Sequence, residues 1–220
     1  MNKTKKPVAV LAGTPVDTGM GADVLKTHGI RPMPYPVSRD PVEQACFQVR
    51  PPEEKYQMLR RILQTAMKEG CESVFVYCNS LSGSVRFPIL AEELGLKIVT
   101  PMDVYGKLAG MYGKIAVMAA TSQALAGQEH VMLNANPRIL VFSAAMLPVV
   151  LDIEAGLAPE EVIRRNHLDT LARYFERNGC EALLLGCTHF PYFMEALAAC
   201  TSLPVIDPAE EMVAMLLKET

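Results

Sequence analysis

Two cysteines close a repeated segment. Gly-Cys-Glu-Ser-Val-Phe-Val-Tyr-Cys-Asn-Ser runs from 70 to 80 and ends around Cys78. Gly-Cys-Glu-Ala-Leu-Leu-Leu-Gly-Cys-Thr-His runs from 179 to 189 and ends around Cys187. A thiol ionises near pH 8.5, about the range a general acid or base needs. A matched pair suits the inversion of a carbon centre. One thiolate removes a proton from one face, and one thiol returns a proton to the other. The charge that develops on the carbon and its carboxylate needs donors. Asn79 and Ser80 follow the first thiol, and Thr188 and His189 follow the second. Backbone N–H groups at the helix starts beyond them would add to these.

The elements that must position these groups repeat as well. Val8 to Thr14 resembles Ile115 to Thr121, and Leu96 to Pro101 resembles Leu203 to Pro208, both at an offset of 107. Three matches in the same order predict two structurally similar halves. Each half opens with an apolar run of strand length, 7–12 and 114–119. Each then carries a helix ending at a glycine, Pro52 to Glu69 before Gly70 and Pro159 to Asn178 before Gly179. An unbroken apolar run follows, Val74–Tyr77 or Leu183–Leu185, as expected of a strand covered on both faces. The expected fold is α/β: two similar three-layer domains with largely parallel sheets, related by a pseudo-twofold, with the active site in the cleft between them. The expected first domain is 1–98 plus 207–220, and the second is 99–206. Ligands of such sheets bind beyond the carboxyl ends of the strands. Cys78 and Cys187 fall there, whereas Cys71 and Cys180 fall at the strand entrances and read as structural.

Composition narrows the partners. The 220 residues are half hydrophobic, carry a net charge of −3 without a basic patch and contain no Trp, which argues against nucleic acid. The charged start before Val8 is followed by too short an apolar run for a signal peptide, and no run has membrane-spanning length. Six cysteines without Cys-x-x-Cys, and without His at zinc-finger spacing, read as cytoplasmic free thiols and not as a metal site. No Lys stands out as a Schiff-base site for pyridoxal phosphate, so no cofactor and no metal are expected. Arg39 and Arg50, in a Pro-rich loop over 31–52, are candidates to hold a side-chain carboxylate, or solvated surface charges.

The motifs resemble the aspartate/glutamate racemase superfamily, and glutamate racemases most closely. Leu-Leu-Leu-Gly-Cys-Thr-His-Phe-Pro at 183–191 is similar to the second catalytic motif of that group, and Cys-Asn-Ser-Leu-Ser at 78–82 to the first. Asp-Thr-Gly-Met-Gly at 17–21 resembles an N-terminal Asp-Ser-Gly-Val-Gly. The resemblance implies a cofactor-independent racemase of aspartate or glutamate, often dimeric. It implies that Cys78 and Cys187 are the acid/base pair, that Asp17 and His189 assist them, and that Thr18, Asn79, Ser80, Thr121 and Thr188 bind the amino and carboxylate groups. The chain departs from the pattern at three places. Asp17 comes late after its strand, with Thr14 in the space before it. Ala124 stands where a Thr is usual. Cys46-Phe47-Gln48 replaces Pro-Tyr-Gly. Asp17 also reads as an N-cap before a helix at Gly21–Lys26, Thr121 and Ser122 as a second N-cap, and His189 as a structural histidine. A related isomerase or decarboxylase, and a non-catalytic amino-acid binder, are the alternative functions.

Overall fold

A computed structural model describes residues 6–218; the start and the last two residues lie outside it. The first elements are β1 (Val8–Ala12), α1 (Pro15–Thr27), β2 (Pro32–Pro36), α2 (Pro41–Gln48), α3 (Pro52–Lys68), β3 (Ser73–Val76), α4 (Asn79–Ser84), α5 (Phe87–Leu94), β4 (Lys97–Val99) and α6 (Pro101–Ala109). There follow β5 (Lys114–Ala119), α7 (Ser122–Ala135), β6 (Leu140–Ala145), α8 (Leu147–Glu154), α9 (Pro159–Arg165), α10 (Leu168–Arg177), β7 (Ala182–Leu185), a 3-10 turn (Phe190–Phe193), α11 (Met194–Ala198), β8 (Val205–Ile206) and α12 (Pro208–Leu217).

The chain divides into two compact units. One runs up to Asp103 and resumes at Ala209; the other is Val104–Pro208. Each holds a four-stranded, wholly parallel sheet, ordered β2-β1-β3-β4 in the first and β6-β5-β7-β8 in the second. The two orders are the same topology, as the internal repeat predicts.

The central strands are apolar throughout because helices cover both faces. All five residues of β1 and all four of β7 are buried. In the second unit Ala116, Met118, Leu183 and Leu185 pack with Val149, Val162, Phe175, Phe190 and Phe193. Burying each phenylalanine contributes about 2–3 kcal/mol.

The predicted Pro-rich loop over 31–52 is instead a strand and a helix, β2 and α2. Strand β2 reads Pro-Met-Pro-Tyr-Pro and lies at the sheet edge. Its prolines alternate, so they all fall on one side of the strand. Just beyond it Val37 N–H donates to Ala12 O at 2.9 Å, so the odd-numbered residues face β1. The donor-less nitrogens of Pro32, Pro34 and Pro36 therefore face outward, where they leave no N–H for another strand to pair with.

The glycine stops are the same in both units. Gly70 and Gly179 adopt φ of 95° and 74°, a conformation glycine takes without strain. Behind them Cys71 N–H reaches Ala66 O and Cys180 N–H reaches Phe175 O, which closes the helix carbonyls. The helix predicted over Pro159–Asn178 is broken, however. His167 turns left-handed at φ 52°, and the Asn166 amide donates to Asp152 Oδ2 at 2.8 Å. The break therefore coincides with a polar contact to α8, the helix just before α9.

Candidate active site

In both sheets the first strand sits inside, with the second strand on one side and the third on the other. The chain reverses its direction of travel there, and in open parallel sheets ligands bind beyond the carboxyl ends of the strands at such a switch point. Pairing continues past β3 and β7 right up to the thiols: Tyr77 N–H donates to Leu11 O at 2.8 Å, and Gly186 N–H to Met118 O at 2.7 Å. Cys78 and Cys187 are the next residues. Each emerges at the switch point of its own sheet, and each is buried.

Around Cys78 the first unit gathers Asp17, Asn79 and Ser80. Ser80 Oγ lies 3.5 Å from the sulfur. Burial pushes the Cys78 thiol above its ordinary value, and the Asp17 charge pushes it further; the Ser80 hydroxyl and the N–H groups of Leu81 and Gly13 oppose them. The net direction is upward, which favours the neutral thiol. Gly13 lets the loop close. A Cβ there would stand 3.0 Å from Gln44 Cδ and Nε2 and 3.2 Å from Asp17 Oδ2. Gln44 is itself buried and accepts from Ser38 Oγ at 3.0 Å.

The N-cap expected at Asp17 is Thr14 instead. Helix α1 starts at Pro15, six residues before Gly21, and Thr14 Oγ1 accepts from Asp17 N–H at a long 3.4 Å. Asp17 sits in the first helical turn, buried. Thr18 is also buried, and its hydroxyl donates to Thr14 O at 2.6 Å. Arg39 and Arg50 do not join this group. They pair with Glu43 at 3.1 Å and Glu54 at 3.9 Å on the exposed surface.

Beside Cys187 the second unit sets Thr188 and His189. His189 Nδ1 is 3.8 Å from the sulfur, and its Nε2 is 3.3 Å from Glu154 Oε1. Thiol, imidazole and carboxylate thus lie in series. Thr121 caps α7, accepting from Ala124 N–H at 3.2 Å, which leaves its hydroxyl proton available to another acceptor. The Gly186 carbonyl, one residue before the thiol, accepts from Gln128 Nε2 at 2.8 Å.

Glu154, Gln128 and Gln44 escaped the sequence reading, and Gln48 entered it only within the Cys46-Phe47-Gln48 departure. Glu154 comes from α8, Gln128 from α7, and Gln44 and Gln48 from α2. Cys71 and Cys180 are buried at the strand entrances, and burial raises both thiols. Among the described residues no group of three or more His, Cys, Asp or Glu is placed to hold a metal ion, and no helix is long and apolar enough to cross a membrane.

Relatives share this architecture. The chain is 28% identical over 173 residues to a glutamate racemase of Gloeobacter violaceus, covering 76% of this chain and 64% of that protein. It therefore spans slightly under two thirds of that relative's length. The fold is similar to a crystal structure of glutamate racemase from Francisella tularensis in complex with D-glutamate, at TM-score 0.74 and 19% identity, over 96% of this chain and 79% of the other. It is also similar to an aspartate racemase homologue from Pyrococcus horikoshii, at TM-score 0.73 and 15% identity, over 97% and 100%. Residues 111–216, slightly under half of the chain, match the family model described as Asp/Glu/Hydantoin racemase.

Proposed function

We propose that the chain is a cofactor-independent racemase of an acidic amino acid, aspartate or glutamate, with Cys78 and Cys187 as its two-thiol acid/base pair at the α-carbon. One observation carries the reading. Cys78 and Cys187 occupy the same position at the switch point of two sheets of the same topology. A decarboxylase or a simple isomerase needs one proton donor at the reacting carbon; a racemase needs two. The glutamate racemase names of curated relatives favour glutamate.

In this mechanism the resting state is unequal. Cys78 is held neutral by burial and by Asp17. Cys187 lies beside His189, whose far nitrogen meets a carboxylate. His189 accepts the Cys187 proton, and Glu154 stabilises the imidazolium. The Cys187 thiolate then removes the α-proton, and the electron pair passes into the substrate carboxylate. Asn79, Ser80, Thr121 and Thr188, with Thr18 behind them, supply hydrogen bonds to the substrate's amino and carboxylate groups. Cys78 returns its proton to the opposite face and becomes the thiolate. The reverse reaction starts from that state. The two units serve as the two racemase-like halves, in a cytoplasmic homodimer.

The test is α-proton exchange in heavy water, followed by NMR with L- and D-aspartate, glutamate and a wider amino-acid panel. Exchange with one acidic amino acid is expected, with racemisation lost in Cys78→Ser and in Cys187→Ser. Absence of exchange with every amino acid would overturn the reading and favour a non-catalytic binder.

A further inference from the structure

Helix α2 reaches the Cys78 loop, and the proposed reaction makes no use of it. Gln48, half-buried at its end, donates from Nε2 to Ser80 Oγ at 3.1 Å. Ser80 Oγ in turn lies 3.5 Å from Cys78 Sγ. A hydroxyl has one proton and two lone pairs. An amide N–H delivered into one lone pair leaves the Ser80 proton free to point at the sulfur. The far end of Gln48 is held too. Lys55 on α3, itself buried, donates from Nζ to the Gln48 carbonyl at 3.3 Å.

We propose that Gln48 is a positioning residue for Cys78: by donating to Ser80 it holds the Ser80 hydroxyl as a donor to the sulfur, and so supports the thiolate that Cys78 becomes in one direction of the reaction. The charged groups facing this chain of contacts are Asp17 from α1 and the Lys55 ammonium from α3; on α2 itself, Glu43 is engaged with Arg39. Of these, Asp17 opposes the thiolate, and Ser80 acts against it. The inference rests on the acid/base role proposed for Cys78. It does not depend on which substrate is bound.

The experiment therefore uses the free protein. The rate of Cys78 alkylation by iodoacetamide is followed against pH, read on the Cys78 peptide by mass spectrometry so that the other cysteines do not interfere. Gln48→Met keeps the length and removes the donor. It and Ser80→Ala should each slow alkylation at neutral pH by about three- to tenfold, the worth of one hydrogen bond, and move the midpoint upward. The double variant should move no further than Ser80→Ala, because Gln48 acts only through Ser80. Gln48→Glu keeps the shape but turns the donor into an acceptor, and should also move the midpoint up. It replaces the Met variant if that one fails to fold. An unmoved midpoint in a folded Gln48 variant, or shifts that add in the double, would overturn the proposal. A wild type that does not racemise, but in which these shifts hold, removes the racemase reading and leaves the positioning role. The opposite outcome removes the role alone.

Discussion

The two units share a backbone plan and differ in almost every side chain that matters. Counting from the helix caps Thr14 and Thr121, Asp17 stands where the second unit has Ala124, and Gly21 where it has Gln128. Counting from the thiols, Tyr77 stands opposite Gly186, and Ser80 opposite His189. Two differences follow. The first unit sets a carboxylate against its thiol, while the second sets an imidazole. The strand-to-helix packing is also solved in opposite senses. A bulky Tyr77 meets a helix Gly21 in one unit, and a strand Gly186 meets a bulky Gln128 in the other. A Cβ on Gly21 would stand 2.7 Å from Tyr77 Cβ; a Cβ on Gly186 would stand 2.6 Å from Gln128 Oε1. Close packing requires one small partner per pair but does not dictate which element supplies it. The chemistry is less symmetric than the fold.

The largest test of this comparison removes the thiols. Cys78→Ser and Cys187→Ser should each lower racemisation by about 10²–10⁴-fold, the usual worth of a general acid or base. Initial rates from the L and D substrates measure it. A variant retaining near wild-type rates in both directions would break the idea that each unit supplies one thiol.

The packing swap comes next. Gly21→Ala and Gly186→Ala should each destabilise the protein by about 1–3 kcal/mol, as overpacking does, read from denaturant midpoints. Rescue should differ. Adding Gln128→Ala to Gly186→Ala should recover part of the loss, because the two nearest obstructing atoms are the far end of a side chain, while the Met118 carbonyl stays 3.0 Å away. Adding Tyr77→Ala to Gly21→Ala should not, because the obstruction is Tyr77 Cβ itself, which alanine keeps. Equal rescue in the two units would mean that the pairs are not opposed as described.

The electrostatic difference gives a smaller effect. The Asp17 charge raises the Cys78 thiol, so Asp17→Asn should lower it and increase the thiolate present at neutral pH. Alkylation of Cys78 against pH, read on its own peptide by mass spectrometry, measures this apart from the other free cysteines. His189→Gln, with its change in the other unit, should leave that titration in place while slowing turnover.

The smallest effect lies at the end of α1. His28 pairs with Glu210 of α12 at 3.1 Å and with the Val24 carbonyl at 2.9 Å. That backbone bond leads the causes that raise the His28 pKa above 6.5. A raised histidine stabilises the fold fully below its unfolded value and loses that contribution as pH climbs through the folded one. Melting temperatures of wild type and His28→Ala should therefore separate slightly in mildly acid buffer and converge above neutrality. The pair is largely exposed, and its worth is within about 0.5 kcal/mol. A gap that widens with pH would reverse the assignment.

The sequence by itself determined the repeat, the parallel α/β class, the two glycine stops and the thiols at the strand ends. Each is written in a local pattern of burial or backbone freedom, and a repeated pattern folds the same way twice. Tertiary structure alone decided that the prolines of β2 form a donor-less edge and that α9 and α10 part at His167. It alone decided that Glu154 backs His189 and that Gln48 backs Ser80. These depend on which distant segments the sheet order brings side by side. A residue's own neighbours carry no record of the side chain that reaches it from another helix, so no spacing along the chain could show them.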